Sequence, residues 1–147
     1  FDDMYQFDGK EWTQIYSNFP APQNPGNPGE GQTSGKGRHA AVAFVIGDYA
    51  YVGTGYVSAL SNRTTNRDRT FFNDFYRFDP VANTWEEISF DGDARYGAVA
   101  FVINNAAYVC LGGSSVGTST ALVTNVAKFD FATKHGQEWE HLLINRG

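Results

Sequence analysis

The sequence has little cysteine, little positive charge and no long hydrophobic run. A single cysteine among 147 residues cannot form an internal disulfide or a cysteine-rich zinc site, so both kinds of scaffold are excluded. The longest apolar run, Ala40–Ile46, is far shorter than the roughly 20 residues that a membrane helix needs. Acidic residues outnumber basic ones, and the net charge of −5 argues against a nucleic-acid partner, which requires a basic face.

Helical periodicity is also missing, whereas turn-forming and aromatic residues are abundant. No stretch repeats its apolar residues every 3.6 positions. Short β-branched or aromatic segments are instead bounded by Gly, Pro, Asn and Asp, which is typical of strands and turns. Hydrophobic residues make up 41% of the chain, enough to form a packed core. We therefore expect a folded all-β protein.

An internal repeat organises the chain. The nine residues that start at Arg38 and the nine that start at Arg95 are identical at seven positions. A second element, an aromatic–Asp motif followed by a tryptophan, occurs three times. It comprises Phe7-Asp8 with Trp12, Phe78-Asp79 with Trp85, and Phe129-Asp130 with Trp139. Such recurrence indicates a repeat architecture.

Each full repeat reads as four strands, here termed a to d. In the first unit they are His39–Ile46, Tyr49–Gly53, Asn73–Phe78 and Thr84–Phe90, and in the second they are Tyr96–Ile103, Ala107–Leu111, Thr124–Phe129 and Glu138–Ile144. Gly47-Asp48 and Asn104-Asn105 have the composition of two-residue hairpin turns. The predicted division is strands c and d of one unit in 1–17, a complete unit in 38–90 and another in 95–145.

These motifs resemble the kelch repeat, whose features are an Arg before an apolar first strand, a Gly doublet after the second, and a Phe-Asp before a Trp. The doublet is Gly112-Gly113 in the second unit, and Gly53-Thr-Gly55 departs from it in the first. The resemblance covers nearly the whole chain and implies a β-propeller of the galactose oxidase-like superfamily, with one four-stranded blade per repeat.

The strand count predicts only part of such a propeller. About two and a half blades are encoded, whereas closure needs roughly four to eight. Strands c and d in 1–17 have no a–b pair to join, even in a second copy. We therefore expect a segment of a larger propeller, whose remaining blades come from the rest of the chain, and whose isolated form exposes apolar blade faces.

Strand parity predicts where a ligand binds. The d–a and b–c connections emerge on one side, and they are the long ones: Asn18–Gly37, Asp91–Ala94, Tyr56–Phe72 and Ser114–Val123. Together with Arg38 and Arg95, these connections hold six basic and four acidic residues, for a local charge of +2, while the remainder carries −7. A positively charged channel mouth, formed by these connections on an otherwise acidic protein, favours an anionic ligand.

The candidate ligand-binding residues lie on this side. Arg38 and Arg95 match the arginine that lines the channel mouth in some kelch proteins, and an arginine fork binds a carboxylate with two hydrogen bonds. The alternative is a structural arginine that bonds the backbone carbonyls of the neighbouring blade. Arg63, Arg67 and Arg69 lie in the first b–c connection, for which the alternative is a solvated loop. Tyr56 and Ser114, which open the two b–c connections, complete the predicted set.

The leading hypothesis is a binding module for an acidic protein segment or an acidic sugar, without cofactor or metal. No two of the three histidines have metal-ligand spacing, and no catalytic triad or phosphate-binding loop is present. The rival is a carbohydrate-active enzyme, since kelch-like propellers include galactose oxidase and bacterial sialic acid mutarotases. A purely structural interaction module is a third reading. The composition suits a bacterial periplasmic or surface protein.

Overall fold

The structure, a computed structural model, describes residues 4–15, 19–20, 38–59, 68–116, 119–130 and 139–142. Within these ranges every regular element is a strand, and no helix could span a membrane. The strands are β1 (Met4–Phe7), β2 (Trp12–Ile15), β3 (Val42–Ile46), β4 (Tyr49–Gly53), β5 (Tyr56–Ala59), β6 (Asp68–Phe71), β7 (Phe75–Asp79), β8 (Thr84–Ile88), β9 (Val99–Ile103), β10 (Ala106–Cys110), β11 (Gly113–Val116), β12 (Ser119–Leu122), β13 (Val126–Asp130) and β14 (Trp139–Leu142).

Two four-stranded antiparallel sheets correspond to the two repeats. The first sheet has the order β3-β4-β7-β8, and the second has β9-β10-β13-β14. Strands β1 and β2 form a separate hairpin, joined at Asp8, whose side chain accepts hydrogen bonds from the backbone N–H groups of Lys10 and Glu11. The prediction of an all-β chain built from four-stranded sheets is therefore confirmed. The proposed division into 1–17, 38–90 and 95–145 stays a prediction.

Tight turns connect the first two strands of each sheet. Asn104 and Asn105 both have positive φ, as two-residue hairpin turns of this kind require, and asparagine tolerates that conformation better than most residues. Gly47 has φ +58° at the equivalent turn of the first sheet. These turns are therefore the short ones expected from the sequence, and they lie on one side of the sheets.

The first strand of each sheet begins later than predicted. β3 begins at Val42 because Ala40, with φ 51°, interrupts the extended backbone. His39 instead forms an isolated bridge with Tyr56. The second unit repeats this geometry, with Gly97 at φ 61° and a bridge between Tyr96 and Gly113.

The b–c connections, which were expected to be long loops, contain strands in their described parts. Each contains an antiparallel hairpin: β5 pairs with β6 in the first unit, and β11 pairs with β12 in the second. Segments of four residues give too short a pattern for alternation to be recognised in sequence. Both hairpins start at the bridge that follows strand b, so they extend from the side opposite the tight turns.

Gly55 shows why the glycine pattern differs between the units. Tyr56 is the counterpart of Gly113, because the two form the equivalent bridges with His39 and Tyr96, and Gly55 is then the counterpart of Gly112, which also has positive φ. A Cβ at Gly55 would lie 2.5 Å from the carbonyl oxygen of His39, so a side chain does not fit. The first unit has thus kept the sterically required glycine of the doublet and replaced the other.

The main core lies between the two sheets. Phe75 is buried on the first sheet, and Trp139 of the second sheet packs against it with ring centroids 4.9 Å apart. Trp139 also contacts Phe90 and Phe129. The other buried members are Val42, Phe44, Ile46, Tyr51, Ile88, Ala107, Val109 and Ala127. Trp139 therefore packs the second sheet on the first.

The far face of the second sheet and the β1–β2 hairpin carry equivalent aromatic residues, but no neighbouring sheet packs on them in the described part of the chain. Phe44 stacks on Tyr51 beneath the second sheet and is 8% exposed, whereas its counterpart Phe101 stacks on Tyr108 and is 42% exposed. Trp12, the counterpart of Trp139, is 69% exposed at the other end. Between the sheets, β3 contacts β9, so the first strands of the two sheets are neighbours. This is the arrangement of a partial β-propeller.

Candidate functional site

The side of the sheets that carries the β5–β6 and β11–β12 hairpins also holds the two repeat arginines. Arg38 and Arg95 each precede the first strand of a sheet. Backbone hydrogen bonds join the units here: Gly55 N–H donates to the Arg95 carbonyl oxygen, and Gly97 N–H donates to that of Ala40. Main-chain hydrogen bonds therefore connect the two units at the base of the hairpins.

Arg38 is held inside the first unit. Its side chain is 4% exposed and forms an ion pair with Asp74, in which both terminal nitrogens donate to the carboxylate. Nη1 also donates to the Thr54 carbonyl oxygen at 2.8 Å. The guanidinium lies 4.5 Å from the centroid of the Phe72 ring. The fork that would bind a ligand carboxylate is thus already bonded to Asp74, and its carbonyl partner, Thr54, belongs to the same unit and not to the neighbouring blade.

Arg95 is fully buried in the equivalent position, but its partners differ. Its Nε donates to the Asp93 carbonyl oxygen at 3.1 Å, and Nη2 donates to Asn125 Oδ1 at 2.8 Å. Asn125 stands where the first unit has Asp74, so a neutral amide replaces the carboxylate. Nη1 has no hydrogen-bond partner in the described part of the chain. Burial lowers the pKa of Arg95, and the nearby Asp93 opposes that shift.

A polar cavity of about 310 Å³ lies beside Asn125. Its hydrogen-bonding walls come from Asp93, Ser114, Thr124 and Asn125, and its apolar part comes from Ala121, Leu122 and Val123. Asn125 Nδ2 lies 3.3 Å from Asp93 Oδ2 and donates to it. The Asn125 amide therefore connects the buried Arg95 to a carboxylate on the cavity wall.

An aromatic cluster surrounds Tyr56 on the same side. His39 stacks on Tyr56 with centroids 5.4 Å apart, and Tyr96 meets Tyr56 edge-on at 5.6 Å. Phe71 of β6 contacts both tyrosines. Tyr56 is half-buried within this cluster, so the cluster anchors the first hairpin and leaves part of the tyrosine at the surface.

The other predicted site residues are distributed as follows. Ser114 lies on β11 and lines the cavity. Arg69 lies on β6, opposite Ser58 of β5. Arg63 and Arg67 fall outside the described residues. The side chains of Arg38 and Arg95 are buried. The acidic residues Asp91 and Asp93 on the same side are exposed.

Sequence reasoning missed Asp93, Thr124 and Asn125 as site residues. One signal was available: an acidic or amide residue (Asp3, Asp74 or Asn125) stands four residues before the phenylalanine of each Phe-Asp motif, and the nine-residue repeat begins with arginine in both units. A recurrent Arg and Asp at fixed places in a repeat suggests an ion pair, and Asn125 is the exception to it. Among the described residues, no group of three or more His, Cys, Asp or Glu could hold a metal ion.

A second cavity, of about 290 Å³, lies on the tight-turn side. It is an open cleft lined by the β1–β2 hairpin and the first sheet, with Ile15, Val45 and Phe78 among its mostly apolar walls. The β1–β2 hairpin corresponds to strands c and d of a unit, and among the described residues no strands a and b pair with it where it faces β3 and β4. The cavity is therefore a gap in packing between neighbouring units, remote from the arginines and the hairpins.

Comparison with known proteins supports the fold. No protein-family model and no curated protein matches this sequence. Among solved structures, the chain is similar to one described as "Structure of YjhT", with a TM-score of 0.64 and 20% sequence identity over 95% of this chain and 44% of that chain. The chain thus spans less than half the length of that protein. At this identity the likeness concerns the fold, which is that of a β-propeller segment.

Proposed function

We propose that the chain is a segment of a kelch-type propeller that acts as a binding module, with the ligand on the side that carries the hairpins. The observation that supports this most directly is the convergence of a polar cavity and an aromatic cluster on that side. The opposite side carries tight turns at 47–48 and 104–105. Extended connections on a rigid scaffold are a common location of binding sites.

The proposed ligand is an acidic glycan or an acidic protein segment. Arg38 and Arg95 would contribute indirectly, by supporting the base of the hairpins, because their guanidinium groups already form hydrogen bonds within the chain. The direct cationic contacts are assigned to Arg63, Arg67 and Arg69, which belong to the first b–c connection. Three arginines within seven residues supply several charge-assisted hydrogen-bond donors for a carboxylate or sulfate group.

The test of this proposal is a titration of the 147-residue chain with N-acetylneuraminic acid and, separately, with polyglutamate. Neutralising Arg63, Arg67 and Arg69 together by substitution with Gln should weaken binding of the acidic probe by about tenfold or more. Lys10→Gln, on the turn of the β1–β2 hairpin, is the control and should leave the affinity unchanged. Equal affinities of the triple variant and the original chain would contradict the proposal.

A carbohydrate-active enzyme such as a sialic acid mutarotase is the second candidate. The observation that favours it is the exposed carboxylate of Asp93 on the wall of the cavity, since that chemistry needs an acid or base. The cation for the sugar carboxylate would come from Arg63, Arg67 or Arg69. Anomer interconversion of N-acetylneuraminic acid, followed by NMR with and without the chain, tests it. Acceleration that disappears in Asp93→Asn would favour the enzyme, and an unchanged rate would contradict it.

A further inference from the structure

We infer that the cavity formed by Asp93, Ser114, Thr124 and Asn125 is a subsite for a neutral sugar, which it holds by adjacent hydroxyl groups. The inference rests on the proposed binding function and narrows the ligand to a glycan. It begins from the difference between the two units at the residue that precedes β7 or β13, which is Asp74 in the first unit and Asn125 in the second. Asp74 directs both carboxylate oxygens to Arg38, whereas Asn125 accepts from Arg95 with its oxygen and donates with its nitrogen to Asp93.

Because an amide replaces the carboxylate in the second unit, the buried arginine is linked by hydrogen bonds to a residue at the surface. In the first unit, both carboxylate oxygens of Asp74 accept hydrogen bonds from Arg38, so the two charges neutralise each other within the chain. In the second unit, a chain of hydrogen bonds runs from the buried Arg95 through Asn125 to Asp93. The arginine fixes which edge of the amide carries the donor, so Asn125 presents an N–H group to Asp93.

Asp93 then has one oxygen bound by Asn125 and a second oxygen free of any hydrogen bond to the described residues. An ionised carboxylate is a strong acceptor that prefers short, charge-assisted hydrogen bonds. A ligand at this wall should therefore donate hydrogen bonds. Paired hydroxyl groups of a sugar supply two donors at a spacing that one carboxylate can accept.

The remaining walls fit the same ligand. The hydroxyl groups of Ser114 and Thr124 can each donate or accept, which suits further sugar hydroxyls. Leu122 is exposed at the rim and can cover the C–H face of a sugar ring. The volume of about 310 Å³ is at the lower end of the range for small-molecule pockets and suits one ring.

The charge of the wall distinguishes this subsite from the acidic contacts proposed above. Asp93 repels a carboxylate or sulfate, and Arg95 is too deeply buried to offer its charge directly. An acidic group of the ligand would therefore be bound by residues 63, 67 and 69, with a neutral ring at Asp93. A protein segment offers no equivalent pair of adjacent hydroxyl groups, so the cavity favours a glycan.

The test uses saturation-transfer NMR and calorimetry on the 147-residue chain with methyl α-D-mannopyranoside and methyl β-D-galactopyranoside as probes. At least one of these neutral glycosides should bind at millimolar concentration. Asp93→Asn should weaken that binding by about tenfold, and Thr124→Val by a smaller factor. Asp91→Asn, an exposed carboxylate two residues earlier, is the matched control and should have little effect. Circular dichroism and urea unfolding verify that each variant is folded.

The outcomes separate this inference from the proposed function. Failure of both glycosides to bind, or equal binding by Asp93→Asn, overturns the neutral-sugar subsite. The acidic probe should still bind the Asp93→Asn chain through residues 63, 67 and 69, and loss of its binding only in the arginine variant supports the general proposal. Neutral glycosides that bind a chain indifferent to acidic probes would support the subsite and overturn the acidic part of the proposed ligand.

Discussion

Arg38 and Asp74 form a buried ion pair that joins the start of one repeat unit to the entrance of its third strand. The two residues are 36 positions apart, and the hairpin β5–β6 lies between them in sequence. The pair closes the base of that hairpin, where Thr54 accepts a further hydrogen bond from the same guanidinium. Its contribution to stability can be separated from that of a surface pair in the same sheet.

Asp74→Asn should lower the free energy of unfolding by about 2–3 kcal/mol, because a buried arginine would lose its counter-charge. Glu86→Gln breaks the more exposed pair between Arg77 and Glu86 and should cost less than about 1 kcal/mol. Urea unfolding of both variants measures the difference. Equal losses would show that the buried pair has no special role.

Gly55→Ala should destabilise the chain by more than about 2 kcal/mol, because a Cβ there would meet the His39 carbonyl oxygen and the backbone has φ +88°. Gly47→Ala is the control. Its φ is +58°, but a Cβ would meet nothing within 4 Å, so only the conformational cost of about 1–2 kcal/mol applies. Denaturant midpoints distinguish the two, and similar losses would argue against the steric explanation.

Trp139→Ala should cost about 3–5 kcal/mol, since the ring packs against Phe75, Phe90 and Phe129 between the sheets. Trp12→Ala removes the equivalent ring from the uncovered hairpin, where it contacts Phe7, and should cost about 1 kcal/mol or less. Thermal and urea unfolding compare the two variants. A large loss in Trp12→Ala would mean that the hairpin is covered in solution.

Phe101→Lys should reduce self-association of the isolated chain at high concentration. Phe101 lies with Val99 and Ile103 on the uncovered face of the second sheet, where a large apolar patch promotes contacts between molecules. Sedimentation velocity over a range of concentrations measures the change. The paired substitution Phe44→Lys, at the buried counterpart, should instead unfold the chain. Unaltered association of Phe101→Lys would exclude this face as its cause.

Stability should fall at alkaline pH because of Tyr51. Burial raises the pKa of the Tyr51 phenol, and the nearby Arg77 only partly opposes the shift. In the unfolded chain a tyrosine ionises near pH 10. Between that pH and the higher pKa of the folded state, the unfolded chain releases the proton first, so the free energy of unfolding decreases as pH rises.

Tyr51→Phe tests this dependence, because it removes the ionising group and keeps the ring that stacks on Phe44. The variant should lose less stability than the original chain between about pH 9 and pH 11 in guanidinium unfolding. Part of the decline should remain, since burial also raises the pKa of Tyr76. Identical pH profiles would contradict the assignment to Tyr51.

Much of the fold follows from local patterns. Strand β4 occupies the predicted range Tyr49–Gly53, and the turn at Asn104-Asn105 has the positive φ values that its composition indicates. Asn and Gly indicate turns because they tolerate positive φ, and the alternating pattern of β3 indicates which face of the strand is buried. The start of β3 was predicted too early because Ala40, with positive φ, carries no such signal.

The candidate site was less predictable, because its contacts connect distant parts of the chain. Nothing near Arg38 in sequence indicates that its fork is occupied, since Asp74 reaches it only when the third strand enters the sheet. The local charge count at the mouth likewise treated Arg38 and Arg95 as surface groups, although both are buried. Composition gives the number of charges and does not give their depth.

The main-chain hydrogen bonds from Gly55 to Arg95 and from Gly97 to Ala40 join the two units through atoms that nearly every residue type possesses. Side chains in the neighbouring hairpins can therefore change without removing these bonds. Recognition can diversify in evolution, or be redesigned in the laboratory, while the relative orientation of adjacent units stays constant.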